Sequence, residues 1–251
     1  MTRILQMQQL RDCRRESGRA QVACSQCSLG ELCLPKNLNP EELSRFEQIV
    51  QRSRPIQSGQ HIYRSGDEFE SVASVRTGCF KSYTIDADGV EQVLGFYLPG
   101  EIIGFDAIHE GQHVANVVAL DTSAVCSLPF ASVSSMARHM PDLQQEILRV
   151  MSSRIHELER MSGDLTADQR IALFLRSLSR RFARRGYSSR EFMLAMSRRD
   201  IASYLRLATE TVSRVLARFQ QNGMIEVDRK RVVILDMEGL ERLTTSQATN
   251  H

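Results

Sequence analysis

Three cysteines crowd into one short stretch near the N-terminus: Cys24, Cys27 and Cys33, in Ala23-Cys24-Ser25-Gln26-Cys27-Ser28-Leu29-Gly30-Glu31-Leu32-Cys33. A fourth, Cys126, lies far along the chain in Ser123-Ala124-Val125-Cys126-Ser127-Leu128. A tight loop lets its thiols converge on one ion or cluster, and a distant fourth ligand would tie that loop to the folded body. Two metal chemistries suit four thiolates. A closed tetrathiolate holds structural zinc, and it also holds an iron–sulfur cluster. Zinc fingers usually bring their ligands as two close pairs, whereas here three are clustered and one is distant. Spacing leaves both readings open.

The thiol count has meaning only in context. The chain has 251 residues, enough for two ordinary domains or one large one. Hydrophobic residues make up 42% and charged residues 25%, the composition of a globular protein. No apolar run approaches the roughly 18–20 residues needed to span a bilayer, so no membrane partner is expected. The first twenty residues are polar and arginine-rich and lack the apolar core of a secretory signal. A cytoplasmic location follows as an expectation, and there six cysteines point to metal or redox chemistry rather than disulfides.

Charge is unevenly spread. From Leu165 to Leu235 there are fifteen Arg or Lys against six Asp or Glu, a net of +9, so with +2 overall the remainder is −7. A basic module of this kind suits a nucleic-acid binder or a solvated arginine-rich surface.

Periodicity divides the chain into four expected parts: an arm with the cysteine loop (1–40), a β-rich sensor domain (41–140), a long helix (141–165) and a C-terminal module (166–251). The arm is expected to be irregular and to need its metal for order. Asn39-Pro40-Glu41-Glu42 opens a helix that Asn39 can cap. From Arg54 to Phe130, short apolar runs alternate with glycines, the pattern of a β-sandwich or roll. Asp86-Ala87-Asp88-Gly89 reads as a hairpin turn. Pro141 begins a long helix in which Leu148, Met151, Ile155, Leu158, Ser162 and Leu165 recur at steps of three and four. That seam favours a homodimer over burial within one subunit, because Arg149, Ser153, His156 and Arg160 make the opposite face polar.

A helix over Ala167–Arg185 follows, closed by Gly186, and then a short strand at 192–195. Ser197 caps the next helix, with Asp200 at the capping-box position. After a turn at Leu205-Arg206-Leu207, Thr209 is expected to cap a second helix that Asn222-Gly223 stops. Residues 224–235 read as a β-hairpin. Helix, tight turn, helix and hairpin make a winged helix-turn-helix. Glu210, Ser213 and Arg214 share one face at the start of the second helix, where side chains meet base edges of double-stranded DNA. Arg214 can donate twice to a guanine, Glu210 can accept from a cytosine amino group, and Ser213 can do either. Arg198 and Arg199 are expected to hold phosphates or pack nearby, beside Thr209. The fold class is therefore α+β. The histidines at 61, 109, 113, 139 and 156 show no metal or triad spacing and read as surface or loop residues, so no enzyme is expected. Cys79 reads as a small buried hydrophobe, and Cys13 has no assigned role.

The cysteine spacing, Gly95-Phe96-Tyr97-Leu98-Pro99-Gly100-Glu101-Ile102-Ile103-Gly104-Phe105-Asp106, Leu178-Ser179-Arg180-Arg181-Phe182-Ala183 and Glu210-Thr211-Val212-Ser213-Arg214 together resemble the fumarate-and-nitrate-reduction (FNR) group of the cyclic-AMP-receptor superfamily. The resemblance runs from about Cys24 to Leu235. It implies a cyclic-nucleotide-binding-like β-roll, a long dimerisation helix and a winged helix-turn-helix. It also implies an oxygen-labile [4Fe-4S] cluster on Cys24, Cys27, Cys33 and Cys126, palindromic DNA with TTGAT half-sites, and RNA polymerase as partner. The hairpin 86–91 and the loop 184–189 match family surfaces that touch the polymerase. The superfamily's nucleotide pocket carries a Gly-Glu pair and a later Arg. Gly104-Phe105-Asp106 and Val114-Ala115-Asn116 lack both the Glu and the Arg, so no cyclic nucleotide effector is expected. One departure concerns the seam: relatives carry an acid at the position matching Leu158, where repulsion opposes dimerisation.

Overall fold

The computed structural model describes residues 22–245. The expectations for the first twenty residues and for Cys13 lie outside them. The chain divides into two compact units. One holds the chain up to Ser82 and Phe96–Ser153, and the other holds Tyr83–Gly95 and the chain from Arg154 onward. No helix among the described residues is long and apolar enough to cross a membrane.

In the first unit the cysteine loop carries two 3₁₀ turns, Cys24–Gln26 and Gly30–Leu32. Helix α1 (Pro40–Ile49) follows. Asn39 Oδ1 accepts the Glu42 N–H at 3.0 Å and Glu42 returns the bond to the Asn39 N–H at 3.1 Å. With Pro40 in the first turn this is a full capping box.

Eight strands then run in chain order, the end of β4 and most of β5 belonging to the second unit: β1 (Gln51–Arg52), β2 (His61–Tyr63), β3 (Ser71–Thr77), β4 (Phe80–Ile85), β5 (Glu91–Tyr97), β6 (Ile102–Ile103), β7 (Asn116–Ala119) and β8 (Ala124–Pro129). They form two four-stranded sheets, ordered β1-β8-β3-β6 and β2-β7-β4-β5. The expected strands at 72–75, 79–83 and 117–120 are present, and Asp86–Gly89 turns β4 into β5, with Asp86 Oδ1 taking the Val90 N–H at 2.9 Å.

Side-chain alternation in the first sheet divides the unit into two cores. Ala73, Val75, Ile103 and Val125 pack inward with Tyr63, Phe80, Val117 and Ala119. Val72, Ile102 and Leu128 point the other way and pack with Leu34, Phe46, Val133 and Leu143. Cys126 and Ser74 belong to this second face, under α1 and the cysteine loop. Gly100 lets the loop seat. Its φ is +89° and a Cβ there would lie 2.7 Å from the Leu32 Cβ. His113 lies in the loop before β7, one of the two places expected for the histidines, but it is not at the surface: its ring is buried, stacked on Tyr63 at 3.4 Å and meeting the edge of Phe69.

Helix α2 (Phe130–Ala137), unanticipated from the sequence, precedes α3 (Pro141–Ser162). Along α3, Leu148, Ile155 and Leu158 are half exposed or more, and Met151 is partly covered. Leu165 departs from the expected seam, because the helix has ended at Ser162 and the Leu165 N–H bonds instead to the Gly163 carbonyl at 2.8 Å.

The second unit contains α4 (Ala167–Ala183), capped reciprocally by Thr166 and Gln169, with Ile171, Phe174, Leu175 and Leu178 buried. β9 (Glu191–Met193) leads to α5 (Arg198–Leu205) and α6 (Thr209–Gln221), then β10 (Ile225–Asp228), β11 (Arg231–Ile234) and a further helix, α7 (Met237–Thr245). The sheet order is β10-β11-β9.

Candidate metal centre and DNA-reading helix

The four cysteines, separated by as much as a hundred positions, line one pocket. It lies between apolar walls from Leu29, Phe46, Val50 and Leu128. Sheet register explains how Cys126 arrives. It lies on β8 with Arg52 of β1 directly opposite on one side and Ser74 of β3 directly opposite on the other. The 3₁₀ turns bring the loop thiols over this row. The Cys33 Sγ sits 3.1 Å from Ser74 Oγ, and the Cys24 N–H donates to Glu47 Oε1 at 3.1 Å.

Burial favours the protonated thiol at Cys24, Cys33 and Cys126. Burial pushes the Cys24 thiol up to about 11, and the Glu47 carboxylate adds to the rise while Arg52 opposes it. Burial pushes Cys33 up to about 12, against the lowering effect of the Ser74 hydrogen bond. Burial also raises Cys126, opposed by Arg52 and Arg76. A metal would therefore have to displace protons, so uptake is favoured as pH rises.

Among the described residues no group of three or more His, Cys, Asp or Glu side chains is arranged to hold a metal ion. The thiols surround the pocket without closing on a point. The donor set nevertheless fits an iron–sulfur cluster or zinc: four soft sulfurs, a water-poor lining, and Arg76 on the wall to offset thiolate charge. Cys79 is buried just ahead of β4 and does not line the pocket.

The second constellation is local. Ser197 Oγ accepts the Asp200 N–H at 3.1 Å and Asp200 accepts the Ser197 N–H at 2.9 Å, as expected for the start of α5. Arg206 then takes a left-handed conformation, φ 55°, which ends the helix within a tight turn. Val212, Val215, Leu216 and Phe219 bury one face of α6. Glu210, Ser213 and Arg214 are exposed on the other.

Thr209 corrects the sequence reading. The cap is Ala208, and Thr209 is the first helical residue, its carbonyl accepting the Ser213 hydroxyl at 3.0 Å. Arg214 does not pair with Glu210; its guanidinium reaches Thr211 Oγ1 at 3.4 Å. Arg199 is exposed, and Arg198 leans toward the wing, donating to the Arg229 carbonyl at 3.5 Å. The wing is a two-residue turn at Arg229-Lys230, with Asp228 paired to Arg231.

Two family descriptions match this architecture: the Crp-like helix-turn-helix domain over residues 169–243, and the cyclic nucleotide-binding domain over residues 53–139. The anaerobic regulatory protein of Haemophilus influenzae is 43% identical over 237 residues, covering 93% of this chain and 92% of that protein. The fumarate and nitrate reduction regulatory protein of Escherichia coli is 43% identical over 231 residues, covering 91% and 92%. Among solved structures, FixK2 of Bradyrhizobium japonicum superposes with a TM-score of 0.72 at 26% identity, covering 80% of this chain and all of that one. The chain belongs to the FNR group of the CRP/FNR family. As a member of that group it is a DNA-binding transcription regulator, not an enzyme.

Two sets of contacts in this FNR-type chain gave no sequence signal. Around the pocket they are Arg52, Ser74 and Arg76, which meet the cysteines through sheet register, and Glu47, which reaches Cys24 from helix α1. In the second unit, the α5 residue Ser203 exchanges hydrogen bonds with the hairpin. Its hydroxyl donates to the Glu91 carbonyl at 2.8 Å and accepts the Val93 N–H at 2.9 Å. Tyr204 donates to Glu157 at 3.0 Å, and Arg154 reaches the Leu94 carbonyl at 2.6 Å. These bonds link α3, the hairpin and α5 within one unit.

Proposed function

We propose that this regulator senses oxygen through a [4Fe-4S] cluster held by Cys24, Cys27, Cys33 and Cys126, and controls genes of anaerobic metabolism. The observation that carries the reading is the gathering of these four sulfurs in one pocket of an FNR-group chain. The names of two relatives, an anaerobic regulator and a fumarate and nitrate reduction regulator, point the same way. When bound, the cluster supplies a group whose integrity depends on oxygen. The chain's own residues bind it, exclude water from it with Phe46, Val50 and Leu128, and connect the loop to the β-sheet.

Dimerisation is assigned to α3, through Leu148, Met151, Ile155 and Leu158, whose apolar side chains form a stripe on one helix. Two copies of α6 would then read a palindrome with TTGAT half-sites. Arg214 and Glu210 read bases, Ser213 assists, and Arg199, Arg198 and Thr209 serve the backbone. RNA polymerase is the expected further partner, and the cytoplasm the place of action. A cyclic nucleotide has no part in this reading: Gly104-Phe105 stands where the superfamily has a Gly-Glu pair for the ligand, and the neighbouring Asp106 accepts the Tyr63 hydroxyl at 3.4 Å.

The test is an anaerobic absorption spectrum with iron and sulfide assays. A broad iron–sulfur band with near-equal iron and sulfide is expected. A colourless protein with one zinc would replace this reading with that of a zinc-stabilised regulator answering another signal.

A further inference from the structure

We infer that Ser74 and the Arg52–Glu47 pair are positioning residues of the cysteine pocket, which bracket Cys126 in the sheet and hold Cys33 and Cys24 over it. The inference rests on the proposed cluster site and extends it to residues outside the ligand set.

Directly opposed residues in antiparallel strands place their side chains on the same face, about 4.5–5.5 Å apart. Cys126 has such a neighbour on each side, Arg52 and Ser74. Each neighbour reaches a different cysteine of the N-terminal loop. Ser74 does so directly, with its Oγ 3.1 Å from the Cys33 Sγ. Arg52 does so through Glu47. Its Nη2 donates to Glu47 Oε1 at 2.9 Å, and the same oxygen accepts the Cys24 N–H at 3.1 Å. The same guanidinium nitrogen also holds the Val22 carbonyl at 3.0 Å, at the entry to the loop. Both arms are sheltered: Ser74 is 4% exposed and the Arg52 side chain 12%. In that setting such bonds fix geometry, because water cannot readily replace them.

The two arms have different chemistry. A metal-bound cysteine sulfur carries no proton, so in the Ser74–Cys33 contact the hydroxyl must then be the donor. A hydrogen bond to a ligand sulfur withdraws electron density and raises the reduction potential of an iron–sulfur centre. The Arg52–Glu47 arm instead grips the backbone at Cys24 and Val22, so it acts on loop placement.

The experiment uses the full chain, reconstituted without oxygen, as wild type, Ser74→Ala, Ser74→Thr and Arg52→Gln. Ser74→Ala should load iron and sulfide yet show a lower reduction potential and faster bleaching in air, and Ser74→Thr should restore both by returning the hydroxyl. Arg52→Gln should weaken metal retention, by about tenfold or more as for other residues that orient ligands. In metal-free protein it should also speed alkylation of Cys24 relative to Cys79. If wild type takes up iron and sulfide and the Ser74→Ala and Arg52→Gln variants match it in potential, bleaching, retention and alkylation, the bracket is wrong and the cluster assignment stands. If wild type takes up neither, the cluster assignment fails. The metal-free alkylation then decides the Arg52 arm alone: faster reaction at Cys24 in Arg52→Gln supports it, and an unchanged rate overturns it.

Discussion

The reading helix and the cysteine pocket differ in what their side chains still lack. On α6 the buried face is complete: Val212, Val215, Leu216 and Phe219 are packed, and the start of α5 is closed by its capping box. Glu210, Ser213 and Arg214 are exposed on the open face, and the contacts of Ser213 and Arg214 come from Thr209 and Thr211 of the same helix. In the pocket the sulfurs are gathered, yet burial holds Cys24, Cys33 and Cys126 in the protonated form, and no metal-holding group is assembled among the described residues. One region is finished by protein packing, the other only by something that displaces protons.

The contrast is broken most completely by removing one sulfur. Cys126→Ala is expected to lose all of its iron while the circular dichroism of the folded chain stays unchanged, and Cys79→Ala is expected to keep its iron. Full iron content in Cys126→Ala would remove the distant thiol from the site.

A smaller effect tests helix α3. Leu158 is 50% exposed on α3 in the single chain. Burying it in a dimer seam contributes on the order of 1–3 kcal/mol per side chain, whereas two facing carboxylates would pay desolvation and repulsion. Leu158→Asp should therefore shift cluster-free protein toward monomer in sedimentation at equal micromolar concentration. If cluster-free wild type already sediments as a clean monomer, the seam residue does not decide the equilibrium.

On the DNA side, Arg214→Ala should cost about 1–3 kcal/mol and relax preference at one base pair. Arg199→Ala should weaken specific and random DNA alike and lower the salt slope by about one. An unchanged ratio of specific to random binding in Arg214→Ala would contradict the reading-helix assignment. The smallest effect concerns caps. Ser197→Ala should lower stability by about 1 kcal/mol, while Thr209→Ala, which removes no capping bond, should cost less in thermal unfolding. Equal losses would restore Thr209 as a cap.

These regions were also unequally legible. The elements of the second unit follow from neighbours in sequence: Ser197 with Asp200, the left-handed turn after Leu205, the Asn222-Gly223 stop and the wing hairpin all announce themselves within a few residues. The error at Thr209 is a shift of one position, since Ala208 offers no side-chain signal and threonine suits either place. Leu165 was misplaced because its spacing continues the seam arithmetic past Gly163, where the backbone leaves the helix. In the first unit the cysteines themselves were visible, but their surroundings were not. Ser74 and Arg52 meet Cys126 only because β1, β8 and β3 pair in one register, and period-two patterns in short strands do not specify which residues face each other. Nothing local to His113 shows that Tyr63 and Phe69 close over this loop residue, so its burial has no sequence signal. Helices α2 and α7 passed unnoticed for lack of a strong periodic signal over so few turns.

If the state of the cysteine pocket governs DNA binding by α6, both must change together when oxygen is admitted. One sample, loaded without oxygen and then admitted to air in steps, tests it by following the visible band and the binding of a palindromic TTGAT duplex together. Specific DNA binding is expected to fall in parallel with the band, and more steeply in Leu158→Asp than in wild type. Binding that stays constant while the band bleaches completely would contradict it.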